Sequence, residues 1–236
     1  MKGAILKPRT ESIDFYLKDI RPPKLVLSKQ KETELTERQR NLLSGLGKLF
    51  NKGFAHLTMA EIAKKLNCSL RTLYSLAPSK EQLVLIVIER NLWSRGRTAM
   101  SAISPNMQPL KAIRTYLQAA NVAAAKTTEA FARDLQKVPA AQKLIEDHNS
   151  YLIAITHRLL DIAVEKGEIG NVDTAAIARL MAGIGRDFSR PEVIGSLRSS
   201  PKQAADEALD LVLAGLTSRN QYRINQFSSE ESNGYK

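Results

Sequence analysis

The amino-acid sequence predicts an all-α protein, and three observations support this fold class. From Thr36 onward, apolar residues recur every three or four positions, which is the spacing of one face of an α-helix. Ser, Thr, Gly and Pro stand at the ends of these apolar patterns, where helices begin and end. No stretch alternates between apolar and polar residues for long enough to predict a β-strand.

Two predicted helices open the folded part of the chain. The first covers residues 36–52 and ends at Gly53, because glycine readily adopts the conformation that closes a helix. The second covers residues 58–66. Its Thr58, with Glu61 three residues later, forms the pattern of a capping box. The first helix is expected to pack behind the second.

A third short helix, residues 69–76, follows a tight turn. Asn67 lies in this turn, and asparagine tolerates a left-handed backbone better than most residues do. Ser69 is the expected cap and Leu73 the expected buried anchor. Two short helices joined by a brief turn form a helix-turn-helix, whose second helix enters the DNA major groove. The other side chains of this helix would then face DNA, namely Leu70, Arg71, Thr72, Tyr74 and Ser75.

The rest of the chain predicts a long helix from Ser79 to about Met100, followed by five more helices. These are expected near residues 108–127, 129–137, 140–166, 173–186 and 201–219. The predicted domains are a basic, partly disordered arm at 1–35, a helix-turn-helix domain at 36–82, a helical regulatory and dimerisation domain at 83–219 and a disordered tail at 220–236.

The net charge of +11 is concentrated in the N-terminal part of the chain. Residues 1–100 hold 19 Lys and Arg against 9 Asp and Glu, whereas residues 101–236 hold 16 against 15. This asymmetry is typical of a polyanion-binding part joined to a neutral part. Nucleic acid, an acidic lipid surface and a merely basic soluble surface are all compatible with the charge alone.

Several classes of protein are disfavoured by composition. The longest apolar run, LVLIVI at 83–88, is far shorter than the ~20 residues of a membrane helix, and no signal-peptide pattern opens the chain, so we expect a cytoplasmic protein. A single cysteine, Cys68, excludes an internal disulfide. His157 and Asp161 share a helix face but supply only two ligands. We expect no enzyme activity, no metal and no cofactor.

Four short motifs occur within residues 38–90, each at the end, the start or the middle of a predicted helix. They are Gly53-Phe54 after the first helix, Thr58 at the start of the second, Thr72-Leu73-Tyr74 in the third, and Ser79-Lys80 at the start of the fourth. In these motifs the segment resembles the DNA-binding domain of the TetR family of bacterial transcriptional regulators. The chain departs from the family pattern at Asn67, where the family has glycine, and at Leu76 and Ala77, where the family has His or Tyr followed by Phe.

The resemblance implies a set of DNA contacts centred on the helix at 69–76. Arg71 is the expected base-reading residue, because its guanidinium group can bond bidentately to a guanine edge. Tyr74 and Lys80 are expected to contact phosphates, which position the protein without reading sequence. The full expected DNA-binding set is Thr58, Ser69, Leu70, Arg71, Thr72, Tyr74, Ser75 and Lys80.

The resemblance also implies a homodimer and a pocket for a small-molecule effector. The last two long helices would pair across a two-fold axis through Leu180, Met181, Ile184, Leu209, Val212, Leu213 and Leu216. The pocket would lie among helices in residues 85–166, with Trp93, Met107, Tyr116, Phe131, Tyr151 and His157 as its expected lining. The implied partners are therefore double-stranded DNA, a second copy of the chain and an effector.

The implied function is a sequence-specific transcriptional regulator, a ligand-responsive repressor that binds a quasi-palindromic operator as a homodimer. An activator with the same fold is one alternative, because the sign of regulation depends on where the operator lies relative to the promoter. A basic helical adaptor on a membrane surface is the other. The segment available for membrane contact, residues 11–24, is short and acidic for that role.

Overall fold

The computed structural model describes residues 13–124, 128–188 and 190–233, and these ranges contain helices and no strand. The helices are α1 Ile13–Leu17, α2 Lys29–Glu34, α3 Glu37–Phe50, α4 Met59–Lys65, α5 Leu70–Leu76, α6 Lys80–Ser101, α7 Pro109–Ala124, α8 Glu129–Leu135, α9 Pro139–Glu165, α10 Thr174–Asp187, α11 Pro191–Ile194 and α12 Pro201–Asn233. The predicted all-α fold class is confirmed.

Local signals set the ends of the N-terminal helices. Thr36 caps α3 and shares a capping box with Gln39, which satisfies backbone N–H groups that have no partner inside the helix. Gly53 follows α3 with φ at 95°, a left-handed conformation that favours glycine. Asn67 has φ at 49°, so the predicted left-handed turn between α4 and α5 is confirmed.

Buried apolar residues fall into two clusters. The first joins α3, α4, α5 and the N-terminal half of α6 to residues of α8 and α9. The second joins α1, α7, α9, α10 and α12. Helix α6 lies between α3 on one side and α7 and α9 on the other. Every residue from Leu83 to Ile88 is consequently buried, which explains a run that is apolar all round the helix.

The N-terminal segment from Ile13 to Glu34 packs against the helical body. Ile13 is buried, and its N–H donates to the carbonyl of Pro105. Further along, the buried carboxylate of Glu89 on α6 accepts hydrogen bonds from the N–H groups of Val26 and Leu27, at 2.6 and 3.0 Å. An ion pair between Arg90 and Glu32 lies beside this contact. We call residues 20–34 the strap, because they are tied down along α6.

Several helices differ from the prediction. The short helices α2 and α11 were not predicted, and α12 continues to Asn233 instead of ending near 219. The domain boundaries stay a prediction. Parts of the predicted arm and tail, residues 1–12 and 234–236, lie outside the described residues, as does the predicted end of α7 at 125–127. Within the described ranges, no helix is long and apolar enough to cross a membrane.

Candidate nucleic-acid interface

Helix α4 is fixed at its N-terminus by a complete capping box. The hydroxyl of Thr58 accepts from the N–H of Glu61 at 3.2 Å, and the Glu61 carboxylate accepts from the Thr58 N–H and hydroxyl, both at 2.8 Å. These hydrogen bonds hold the pKa of Glu61 below its usual range. Thr58 therefore has a structural role whether or not it also contacts DNA.

Helix α5 is anchored by one side chain and capped by another. Leu73 is fully buried in the first core cluster, as predicted. Ser69 accepts from the N–H of Thr72 at 3.1 Å, and the hydroxyls of Ser69 and Thr72 lie 2.8 Å apart. The hydroxyl of Ser75 donates to the carbonyl of Thr72. The three hydroxyl groups are thus locally bonded, yet each retains capacity to accept or exchange a bond with a ligand.

The outer face of α5 presents large side chains to solvent. Leu70 is 42% exposed and Tyr74 is 52% exposed, and Arg71 is exposed between them. Leu70 and Tyr74 are four residues apart and therefore lie on the same side of the helix. The last turn of α4 adds the exposed ammonium groups of Lys64 and Lys65. This surface therefore offers a polyanion the guanidinium group of Arg71, the phenol of Tyr74 and the apolar side chain of Leu70.

Lys80 does not face this surface as a free cation. Its ammonium group donates to the carbonyls of Phe54, Ala55 and Leu57, at 3.4, 2.9 and 2.8 Å. An ammonium has three N–H donors, so these carbonyls account for all of them. In this structure the side chain ties the start of α6 to the loop between α3 and α4, and the expected phosphate contact of Lys80 stays a prediction.

Asp134 of α8 also holds this loop, and no sequence pattern predicts the contact. Its carboxylate accepts from the N–H groups of Phe54 and Ala55 at 2.6 and 2.8 Å. The ring of Phe131, also on α8, meets the ring of Phe54 edge-on with centroids 5.7 Å apart. We call residues 53–57 the α3–α4 loop. Asp134 accepts from two N–H groups of this loop and Lys80 donates to three of its carbonyls, which positions α4 relative to the body.

Acidification is expected to weaken the contact between Asp134 and the loop. Burial raises the pKa of Asp134, but the N–H donors of Ala55 and Phe54 outweigh burial and set the pKa below its usual value. A carboxyl with a lowered folded-state pKa stabilises the fold above about pH 3.9, and this contribution is lost as the pH falls through the folded-state pKa. Asp134→Asn should therefore cost about 1 kcal/mol at pH 7, with solvent screening included.

Urea unfolding at pH 7 and pH 3 would measure this difference. The deficit of the Asp134→Asn variant relative to the wild type should be present at pH 7 and should shrink at pH 3. Asp147→Asn is the matched control, since Asp147 forms an exposed pair with Lys143 and should cost less than about 0.5 kcal/mol. A deficit of equal size at both pH values would show that the charge of Asp134 is not what holds the loop.

The six residues expected to line a pocket are divided by the structure. Trp93, Phe131 and Tyr151 line a cavity beside α6. The other three lie away from it. Met107 and Tyr116 belong to the second core cluster, where burial raises the pKa of Tyr116, and His157 lies 3.6 Å from Asp161 on the outside of α9. Met107 and Tyr116 therefore lie in the second core cluster and His157 lies beside Asp161, and the assignment of the six residues to an effector pocket stays a prediction.

The residues expected at a dimer interface are also divided. Met181, Leu209, Leu213 and Leu216 are buried inside the chain, and the assignment of all seven residues to a dimer interface stays a prediction. Leu180 is 52% exposed, and Ile184 and Val212 are partly exposed. The large exposed residue that was missed is Leu211, at 75%. Helical periodicity identifies apolar residues on α10 and α12, but it does not tell which side of each helix faces its own core.

Comparison with known proteins agrees with this arrangement. Residues 42–87, which span α3 to the first part of α6, match the family model for bacterial regulatory proteins of the tetR family. No curated protein matches the sequence. A TetR transcription regulator from Haloarcula marismortui has a similar structure, with a TM-score of 0.67 at 12% identity over 77% of this chain and 99% of that one.

Two further solved structures show the same fold. A tetR-family regulatory protein from Rhodococcus RHA1 gives a TM-score of 0.59 at 20% identity, over 77% of this chain and 98% of that one. The TetR-family regulator PfmR from Thermus thermophilus gives 0.51 at 22% identity, over 74% and 98%. The family match falls on the helices that build the exposed face of α5, and in residues 42–87 the chain is similar to the DNA-binding regulators of the tetR family.

Proposed function

We propose that this protein is a ligand-responsive repressor that acts in the cytoplasm and binds a quasi-palindromic operator as a homodimer. The observation that carries the proposal is the outer face of α5, where Arg71 is exposed between Leu70 and Tyr74 while Leu73 is buried in the core. A recognition helix with this division of side chains reaches base edges from its N-terminal half. Residues 36–82 would form the DNA-binding domain and 83–219 the regulatory domain.

Arg71 is proposed to read a base, and Tyr74 to contact phosphate. Ser69, Thr72, Ser75 and Thr58 would add hydrogen bonds to the backbone or to base edges, and Leu70 an apolar contact to a thymine methyl group. No acidic side chain forms an ion pair with Arg71 in the described part of the chain, so its guanidinium is available to DNA. The exposed Lys64 and Lys65 would supply charge near the backbone.

The dimer is proposed to form through the exposed faces of α10 and α12. Leu180 and Leu211 are the large apolar residues on these faces. Small residues accompany them at helical spacing and permit close approach of two helices, namely Ala176, Gly183, Ala204, Ala208 and Gly215. Two copies related by a two-fold axis would place two α5 helices in successive major grooves, ~34 Å apart. An effector that favours a different separation would release the operator.

Selection of bound sequences from random duplex DNA tests the proposal. The wild-type chain should recover a quasi-palindrome with half-sites about one helical turn apart. Arg71→Ala should relax the preference at one position in each half-site, at a cost of about 1–3 kcal/mol against the preferred base. Arg198→Ala, which changes an exposed arginine in the segment between α11 and α12, should leave the preference unchanged.

Two outcomes would contradict the operator model. Recovery of single half-sites would argue against a dimer on DNA. Recovery of no preferred sequence, with an affinity that falls steeply as the salt concentration rises, would mean that the basic surface binds phosphates without reading sequence.

A further inference from the structure

A cavity of about 1250 Å³ opens between the strap and the body, at the junction of the DNA-binding and regulatory helices. The strap contributes residues between Pro22 and Thr33 to its lining, and α6 contributes Trp93 and Arg95 among others. Its apolar lining comes from several elements and includes Leu25, Leu27, Leu43, Val87 and Phe131. The cavity is therefore large enough for an elongated organic molecule and apolar over much of its wall.

Positively charged side chains outnumber negatively charged ones around this cavity. Five cations line it, and they are Lys29, Lys48, Arg90, Arg95 and Arg97. The two acids that line it are both engaged, since Glu89 holds the strap backbone and Glu32 pairs with Arg90. Four cations are left with no acidic partner in the part of the chain that the structure describes. An occupant of this cavity meets a positive potential that only an anion neutralises.

Arg95 is the cation placed deepest in this setting. Its side chain is partly buried, and burial lowers its pKa, as expected when water is removed from around a cation. Arginine nonetheless stays charged in proteins, so its guanidinium keeps its donors. No hydrogen bond or ion pair to this guanidinium is formed by the described residues. A charged group that has lost water without gaining a partner is a binding site for an anion.

We propose that this cavity binds an organic anion with an apolar body, whose head group pairs with Arg95 and whose body lies between the strap and α6. The position differs from a pocket enclosed by regulatory helices alone, because Leu43 and Lys48 belong to α3 of the DNA-binding helices. An occupant would touch α3, α6 and the strap together. Its effect on DNA binding rests on the proposed function, whereas the binding itself does not.

The chain carries its own reporter for this site. Trp93 lines the cavity and is the single tryptophan of the sequence. Dodecanoate and dodecyl phosphate serve as probes with two different anionic heads, and dodecan-1-ol serves as the uncharged probe of equal length. Titration below the micellar range, followed by Trp93 fluorescence and by calorimetry, should show saturable binding of at least one anion, about tenfold or more tighter than the alcohol.

Variants locate the binding. Arg95→Gln should weaken binding of the anion about tenfold and leave binding of dodecan-1-ol unchanged. Lys48→Gln, on the α3 side of the cavity, should weaken binding of the anion by a smaller factor than Arg95→Gln does, because Lys48 is exposed. Arg198→Gln is the matched control and should bind the anion as the wild type does. Circular dichroism of each variant would confirm that the helical content is retained.

The proposal is overturned if neither anion binds better than the alcohol, or if Arg95→Gln binds the preferred anion as tightly as the wild type. A separate measurement of operator affinity with and without the bound probe distinguishes the two claims. Anion binding at Arg95 that leaves operator affinity unchanged would keep the site and remove its regulatory role. A selected operator with no anion binding would keep the proposed function and remove the site.

Discussion

Glu89→Gln is expected to release the strap from α6 and to lower the free energy of unfolding of this region by about 2–3 kcal/mol. Glu89 is only 3% exposed, and its two carboxylate oxygens accept from the N–H groups of Val26 and Leu27. Glutamine has the same shape but carries one oxygen and one amide N–H₂ group. It can satisfy one strap N–H, and it turns a donor toward the other.

The size of this effect follows from the environment of Glu89. Hydrogen bonds from backbone N–H groups to a carboxylate are stronger than those between neutral groups. A donor left unsatisfied away from water also loses its hydration, which adds about 1–3 kcal/mol. Replacement of the carboxylate therefore removes one charge-assisted bond, weakens the other and places two donors face to face.

Hydrogen exchange of the Val26 and Leu27 amides would measure the change locally. Exchange at these two positions should accelerate about 30- to 150-fold in Glu89→Gln. Glu207→Gln, which changes an exposed glutamate on α12, is the matched control and should leave both rates unchanged. Unaltered protection of Val26 and Leu27 in Glu89→Gln would mean that apolar packing, and not this carboxylate, holds the strap.

The helices of this protein are largely predictable from sequence because their signals are local. Thr58 and Glu61 are three residues apart, and Asn67 marks its turn by its own backbone preference. The buried face of each N-terminal helix follows from the spacing of its apolar residues, and Leu73 lies in the core as expected.

The contacts between segments that are far apart in the sequence are not predictable in this way. Glu89 meets Val26 across 63 positions, and Asp134 meets Phe54 across 80. No periodic pattern connects residues so far apart, since such contacts depend on how whole helices pack. One signal was nevertheless available, because Glu89 directly follows a run that is apolar all round, and a buried acid in that position needs donors.

For a related reason, the sequence pattern alone does not assign apolar residues to an interface or to a pocket. An apolar residue on an amphipathic helix faces either its own core or a partner, and the sequence pattern is the same in both cases. Met181 and Leu209 belong to the core, while Leu180 and Leu211 remain exposed. The cavity likewise has a wall made by the strap, which an interpretation based on regulatory helices alone does not include.

Lys80→Met is expected to destabilise the DNA-binding helices by about 2–3 kcal/mol and to leave the salt dependence of DNA binding unchanged. The ammonium group of Lys80 is bonded to carbonyls of Phe54, Ala55 and Leu57. Methionine keeps the length and apolar character of the side chain but removes the donors, so the α3–α4 loop loses its tie to α6. A phosphate contact would instead contribute to counterion release, and its loss would flatten the salt dependence.

Lys64→Met is the matched control, and it should behave in the opposite manner. Lys64 is exposed in the last turn of α4, and no ion pair to it is formed by the described side chains. Its replacement should leave the urea midpoint of the domain close to that of the wild type. The slope of log K against log salt concentration for operator DNA should become shallower by about 0.9, the value for one phosphate contact. A shallower slope for Lys80→Met, with stability retained, would contradict this prediction. It would mean that Lys80 contacts phosphate in the DNA complex and binds the loop carbonyls only in the absence of DNA.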